Sequence, residues 1–230
     1  MKVIAVDTST SSGSAALLDG DLLVAEWSLQ CAQTHNRRLL RSIDFLLQQA
    51  GWSLNDLDGF AVATGPGSFT GLRIGLSTVK TLAWSVNKPF VGISSLDALA
   101  APLCFAQLPV CPILDARKKE IYFALYKQIQ CGQLMLQGSY CVSKPERLIE
   151  RIDQPTIVCG DGWLLYRELL RSKLGKLAVE LPAPYHTIRA ANVGAMAMRR
   201  LQTGEAEDPM TSLPLYVRPS EAELHKQQKT

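Results

Sequence analysis

Apolar positions along the chain change period several times, and each change marks a predicted element. Residues 3–6 form a continuous apolar run, as expected of a strand buried on both faces. Residues 14–18 and 22–29 flank Asp19-Gly20, whose glycine supplies the positive φ of a tight hairpin. A helical pattern follows, with Thr34 placed to cap it, its end near Ala50, and Gly51 as the stop signal. Residues 59–64 read as a strand that delivers the loop Gly65-Pro66-Gly67-Ser68-Phe69-Thr70-Gly71. A second helix is expected over residues 71–87, then a strand over 90–93 and a helix capped by Ser94 or Ser95. Asp97 falls in the first turn of that helix, where the helix dipole favours an acid. A comparable succession restarts near Pro109. Residues 110–115, 121–126, 134–141 and 156–159 read as strands, a helix begins around Pro145, and residues 163–172 and 190–202 have helical composition.

No close sequence repeat is visible, yet two passes of strands followed by mixed elements predict an α/β protein of two related lobes. The expected division is 1–106 and 107–218, with helix 190–202 packing back between the lobes. The polar stretch 219–230 reads as a flexible tail.

Projection of the first two helices separates their faces. In the first, Leu39, Leu40, Ile43, Leu46, Leu47 and Ala50 form the core stripe, while Phe45 falls opposite, among Arg38, Arg41, Gln48 and Gln49. In the second, Leu72, Gly75, Leu76, Val79, Leu82, Ala83 and Val86 form the stripe. Trp84 lies off it, beside Arg73, Ser77, Lys80 and Thr81. An aromatic set among cations on each of two helices is a partner-surface pattern, because aromatics and Arg are enriched at interfaces. Ordinary packing under a loop is the alternative. Gly75 within a helix costs about 1 kcal/mol relative to Ala, which points to a close backbone approach.

Composition changes this picture little. The 230 residues are 47% hydrophobic and 20% charged, with a formal net charge of +3 that neither requires nor excludes nucleic acid. No apolar run approaches the roughly 20 residues of a membrane helix, and the opening stretch lacks the features of a signal peptide. The six cysteines (Cys31, Cys104, Cys111, Cys131, Cys141, Cys159) are scattered without a C-x-x-C pair. They are expected to be buried reduced thiols of a cytoplasmic protein.

The strand, Gly-rich loop and helix invite a phosphate-binding reading, since a helix N-terminus presents free N–H groups. The common versions fail here. Leu72-Arg73 follows Gly71 where a P-loop needs Lys and Ser or Thr, and Gly71 lies four positions after Gly67, which breaks the dinucleotide spacing. Ser68 is not in a G-x-S-x-G elbow. The loop therefore either shapes a turn that aims the next helix or contacts an anion or a partner. The three histidines, His35, His186 and His225, have no paired-ligand spacing. Asp7, Asp115 and Asp161 end strands or sit in turns, where α/β proteins place phosphate chemistry but where Asp also serves local turn geometry.

Taken together, Val3-Ile4-Ala5-Val6-Asp7-Thr8-Ser9-Thr10, Thr34-His35 and the run from Gly65 through Leu72-Arg73-Ile74-Gly75 resemble the bacterial TsaB (YeaZ) family. So do Ser77-Thr78-Val79-Lys80, Asp115-Ala116-Arg117-Lys118-Lys119-Glu120-Ile121-Tyr122 and Pro214-Leu215-Tyr216-Val217-Arg218. The likeness spans nearly the whole chain, and the loop-helix motif is its most specific part. It implies a two-lobed fold of the actin, Hsp70 and sugar-kinase (ASKHA) type, with mixed central sheets in ribonuclease H-like lobes.

The resemblance also implies a role in making threonylcarbamoyladenosine in tRNA, as partner of the related transferase TsaD and with the ATPase TsaE. Family members pair with TsaD, or with themselves, through the first two helices. On that basis the partner-binding residues are Arg38, Phe45, Gly65, Pro66, Gly67, Ser68, Phe69, Thr70, Gly71, Arg73, Ser77, Lys80 and Trp84. No catalytic or metal-binding residue is expected, and contact with tRNA would be indirect. TsaD-like proteins carry N-H-x-x-G-H after the fifth strand; here Ser95 and Leu99 stand where imidazoles would be needed. ATP and a metal are expected on the partner proteins. Arg117 and Lys118 are bulky where a nucleotide's phosphates would approach backbone, and Gly160-Asp161-Gly162 is only a partial adenosine loop. The chain thus reads as a degenerate paralogue. The alternatives are an ATP-binding enzyme of this fold and a peptidase, the second lacking a metal pair or nucleophile elbow.

Overall fold

A computed structural model describes residues 1–30, 38–130 and 132–218. The first sheet holds β1 (Lys2–Asp7), β2 (Ser12–Asp19), β3 (Leu22–Gln30), β4 (Gly59–Gly65) and β5 (Phe90–Ser94) in the order β3-β2-β1-β4-β5. The second holds β6 (Val110–Asp115), β7 (Ile121–Gln130), β8 (Gln133–Ser143), β9 (Thr156–Cys159) and β10 (Ala178–Glu180) in the order β10-β9-β6-β7-β8. In each sheet the first three strands form an antiparallel meander, and the remaining two add in parallel on the other side of the first strand. The two sheets therefore share one connectivity, although the sequence shows no repeat.

Alternation along the strands sorts side chains into layers. Ile4 and Val6 of β1 point to one face, where they pack with helices α1 (Leu39–Ala50) and α2 (Phe69–Ser85). Val3 and Ala5 point to the other face, into a core shared with the second sheet. Helices α3 (Ser95–Ala100) and α6 (Ala190–Gln202) fill that shared core, which also holds Val110, Leu114, Tyr122 and Tyr126. On the far side of the second sheet, Cys111, Ile113, Ile121 and Phe123 pack with helices α4 (Pro145–Ile149) and α5 (Asp161–Leu174). A Cβ at Gly194 would collide with Leu18, so the glycine lets α6 lie directly on the first sheet.

Several boundaries differ from the expectation. The Thr34 cap lies outside the described residues, as do His35, Cys31, Cys131 and His225; the described helix begins at Leu39 after Arg38. Leu40 was placed in the core stripe but is exposed, and Ser42 is buried in its stead. Leu40 sits at the edge of the apolar arc, and the Ser42 hydroxyl is satisfied by donating to the Arg38 carbonyl at 3.0 Å. Helix α2 starts at Phe69, two residues earlier than expected, because the Ser68 hydroxyl accepts from the Gly71 N–H and caps it. Ser94, and not Ser95, caps α3. Strand β10, only three residues long, carried too short a pattern to be read.

The thiols Cys111 and Cys159 are buried, and burial pushes Cys159 up to about 12. Cys104 and Cys141, also free, are only half-buried, contrary to the expectation of burial. Among the described residues no helix is long and apolar enough to cross a membrane.

The face assignment of α1 is open to a direct check. Leu46→Ala empties a buried position and is expected to cost about 2–5 kcal/mol in urea denaturation, whereas Leu40→Ala should fall within about 0.5 kcal/mol of the parent.

Candidate functional site

The loop after β4 is built to bring α2 onto the turn that follows β1. A Cβ at Gly67 would strike the Ser9 carbonyl, one at Gly71 the Thr8 carbonyl, and one at Gly75 the Thr8 hydroxyl. These three glycines, spaced every four residues, make a flat track along which backbone meets backbone. Two hydrogen bonds fasten it: the Ser68 N–H donates to the Ser9 carbonyl at 2.6 Å, and the Thr8 hydroxyl donates to the Gly71 carbonyl at 2.7 Å. Gly65 has a φ of 120°, a value that non-glycine residues rarely adopt, and its peptide bond to Pro66 is cis.

Asp7, which precedes Thr8 at the end of β1, is fully buried. One of its oxygens accepts both the N–H and the hydroxyl of Ser9, at 3.0 and 2.6 Å. The other has no hydrogen-bond partner. Burial, only partly offset by the Ser9 bonds, pushes the Asp7 carboxyl from 3.8 up to about 6. Burial also raises Asp161, whose carboxylate accepts the Asp115 N–H at 3.0 Å.

The second sheet repeats the arrangement at its own first strand. Cβ atoms at Gly160 and Gly162 would strike the backbone of Ile113 and Leu114, so these glycines seat α5 against the end of β6. The buried His186 holds the same corner. Its Nδ1 accepts the Gly160 N–H at 3.2 Å, while Nε2 lies 2.9 Å from the Leu181 carbonyl, to which it donates. This histidine is structural. Among the described residues no group of His, Cys, Asp or Glu is arranged to hold a metal ion.

Between the two seats is a cleft of about 700 Å³, lined by Ser9, Thr10 and Ser11, by the loop from Gly67 to Gly71, and by Asp115, Arg117, Tyr122, Asp161 and Arg218. The connection from β6 to β7 is unusual: Arg117, Lys118 and Lys119 all have positive φ, at 60°, 52° and 61°. Left-handed backbone at non-glycine residues costs about 1 kcal/mol or more each. The turn is held by Arg117 N–H donating to Asp115 Oδ1 at 2.8 Å and by Arg218, which bonds the Ala116 carbonyl at 3.0 Å and the Glu120 carboxylate.

The residues singled out in sequence divide into two sets. Gly65, Pro66 and Gly71 are buried and Gly67 is half-buried; they form the seat of α2 and not an exposed surface. Ser68, Phe69, Thr70, Arg73, Ser77 and Trp84 are exposed, as is Phe45 on α1, whereas Arg38 and Lys80 are half-buried. Arg73, Ser77, Lys80 and Trp84 line a groove of about 620 Å³, but no residue of α1 does. The opposite wall of that groove comes from residues 209–216, of which only Pro214-Leu215-Tyr216 belongs to a motif singled out in the sequence. Its proline-bounded segment, Pro209 to Pro214, was the available signal.

Two outcomes test this construction. In Gly71→Ala the new methyl meets the Thr8 carbonyl, a backbone atom that cannot swing aside, and a loss of about 1–3 kcal/mol is expected in urea denaturation. Because folding raises the Asp7 pKa, the native state retains a proton between about pH 4 and pH 6 that the unfolded chain has released. Stability from this group is therefore lost as pH rises through that window, and Asp7→Asn should flatten the urea-midpoint profile there.

Four known proteins or families resemble this chain. The family model described as TsaD, tRNA N6-adenosine threonylcarbamoyltransferase, matches residues 29–226. The tRNA threonylcarbamoyladenosine biosynthesis protein TsaB of Bacillus subtilis is 31% identical over 225 residues, 97% of this chain and 96% of that protein. The solved structure of YeaZ from Pseudomonas aeruginosa superposes with a TM-score of 0.81 at 32% identity, covering 94% of this chain and 99% of that one. The activator of 2-hydroxyisocaproyl-CoA dehydratase from Clostridium difficile, solved with bound ADPNP, gives a TM-score of 0.56 at 10% identity, a likeness of fold alone.

Proposed function

This chain belongs to the TsaB family of tRNA threonylcarbamoyladenosine biosynthesis proteins, and from that premise we propose that it is the non-catalytic subunit that binds and activates TsaD. The reaction served is threonylcarbamoyl transfer to the adenosine adjacent to the anticodon of tRNAs reading ANN codons. The observation that carries the reading is the outer layer of the first sheet. Phe45 is 54% exposed on α1 and Trp84 is 68% exposed on α2, each in a sequence neighbourhood with cationic residues, while other apolar residues of both helices pack into the core. Large apolar side chains left in water on rigid helices are the usual mark of a docking surface. In this reading TsaE joins the complex, the chain pairs with itself when TsaD is absent, and the assembly works in the cytoplasm with tRNA contacted mainly by its partners.

The two turns at the cleft support a subunit without nucleotide chemistry of its own. A phosphate held in such a turn needs free backbone N–H donors. Here the Ser9, Asp115 and Arg117 N–H groups already donate to the carboxylates of Asp7, Asp161 and Asp115. An arriving phosphate would meet carboxylates in place of free N–H groups at these turns. The residues present do not fit that group, and ATP and metal chemistry are assigned to the partner proteins.

The test is reconstitution of the tRNA modification with and without this chain, combined with titration calorimetry against purified TsaD. Activity is expected to require the chain. Phe45→Ala with Trp84→Ala should weaken the heterodimer roughly tenfold or more, and modification that proceeds equally well without the chain would refute the role.

A further inference from the structure

We propose that the turn between β6 and β7, residues 115–120, contacts the phosphodiester backbone of the tRNA directly, with Arg117, Lys118 and Lys119 supplying the charge. Such contact goes beyond the indirect one that the family resemblance implies, and it rests on the pathway role proposed above.

The turn is costly to build. Arg117, Lys118 and Lys119 take left-handed backbone in succession, a conformation that Gly or Asn adopts with less strain. Strain of this kind persists where the surroundings enforce it, and it collects at ligand-contacting segments. Here the enforcement comes from below. The Ala116 N–H donates to the Glu120 carbonyl and the Glu120 N–H to the Arg117 carbonyl, both at 3.0 Å, while Arg218 bonds the Ala116 carbonyl and the Glu120 carboxylate. All three cationic side chains are exposed. The strained backbone therefore serves to fix where three adjacent cations stand, with little left for a bound strand to order.

Charge is sorted by depth across this turn. The Asp115 side chain is 12% exposed and accepts the Arg117 N–H, and Glu120 pairs with Arg218, whereas the Arg117 side chain is 77% exposed. Several other arginines of this half of the chain are tied to carboxylates: Arg167 and Arg171 to Glu180, Arg189 to Glu26, and Arg200 to Glu205 and Glu207. Residues 107–218 hold 15 lysines and arginines against 11 aspartates and glutamates, while residues 1–106 hold 7 against 8. The surplus of cations thus belongs to the half that carries the turn. Fixed, exposed cations bind a phosphodiester backbone whatever its base sequence. Side chains make this contact, because the Arg117 amide is already taken by Asp115. An acidic protein segment would match the same charges, but residues 115–120 offer no large apolar side chain to anchor a protein interface. RNA is the better match.

The experiment titrates labelled tRNA, by fluorescence anisotropy across a salt series, with the chain plus TsaD and with the isolated full chain. Lys118→Gly with Lys119→Gly removes two charges and relieves two left-handed positions, so its melting temperature should be no lower than the parent's. Affinity of the complex for tRNA is expected to fall roughly tenfold, and the slope of log K against log salt should become shallower by about 1–2. Lys118→Arg with Lys119→Arg keeps the charge and should stay within about threefold of the parent. In the reconstituted modification, the glycine pair should raise KM for tRNA and leave kcat unchanged. Equal affinity and equal slope for parent and glycine pair would overturn the contact and leave the subunit role standing. A glycine pair that loses TsaD in calorimetry with an unmoved salt slope would make the turn a protein contact, and would overturn it as well. If calorimetry finds no complex with TsaD, the subunit role falls, and the isolated chain decides: low-salt tRNA binding that the glycine pair loses supports the contact, and absent or unchanged binding refutes it.

Discussion

The outer layer of the first sheet depends on how closely α2 approaches the turn that follows β1. Helices packed through ordinary side chains stand 8–10 Å from their neighbours; here Gly67, Gly71 and Gly75 remove the side chains and let backbone touch backbone at Thr8 and Ser9. This contact fixes the helix axis, and the axis decides which residues are in water. With Leu72, Gly75, Leu76, Val79 and Ala83 pressed inward, Arg73, Ser77 and Trp84 have nowhere to go but out. Asp7, next to Thr8, is fully buried at this corner, and burial raises its carboxyl.

The equivalent corner of the second sheet uses the same device with other residues. Gly160 and Gly162 replace the glycine track, β6 replaces β1, and Asp161 reaches across to the Asp115 N–H. Two corners with one connectivity and no visible sequence repeat indicate that the sheet order is preserved by packing geometry, with side-chain identity free to drift. It also explains Gly160-Asp161-Gly162 without appeal to adenosine: each glycine is required by the backbone of β6. The carboxylates that cap the turn amides hold the loops in shape and at the same time make them poor hosts for a phosphate.

Much of this was legible in the chain. Strand positions, the αL stop at Gly51 and the inward stripe of α2 followed from periodicity and turn chemistry, which act locally. The role of Gly75 as a point of close approach was also readable, because a glycine inside a helix needs a reason. What was not legible involves contacts distant in sequence. Nothing near residue 210 shows that the segment 209–216 returns to α2, since its anchors are Thr64, Phe69 and Lys80. The left-handed run from Arg117 to Lys119 contradicts the local preference of those residues and is held by Arg218, about a hundred positions later. The exposure of Leu40 turned on the width of the apolar arc, which a projection does not fix.

Helix α6 ties the two sheets together. Its Val193, Ala197 and Met198 lie in one apolar cluster with Ala5 and Leu18 of the first sheet and with Leu114 and Tyr122 of the second. Swinging the sheets apart would expose that cluster to water at about 25 cal/mol per Å², a heavy penalty for any motion larger than breathing. The chain is therefore better suited to act as a stiff template than as a jaw. Whatever binds its outer face meets a surface whose shape was settled during folding.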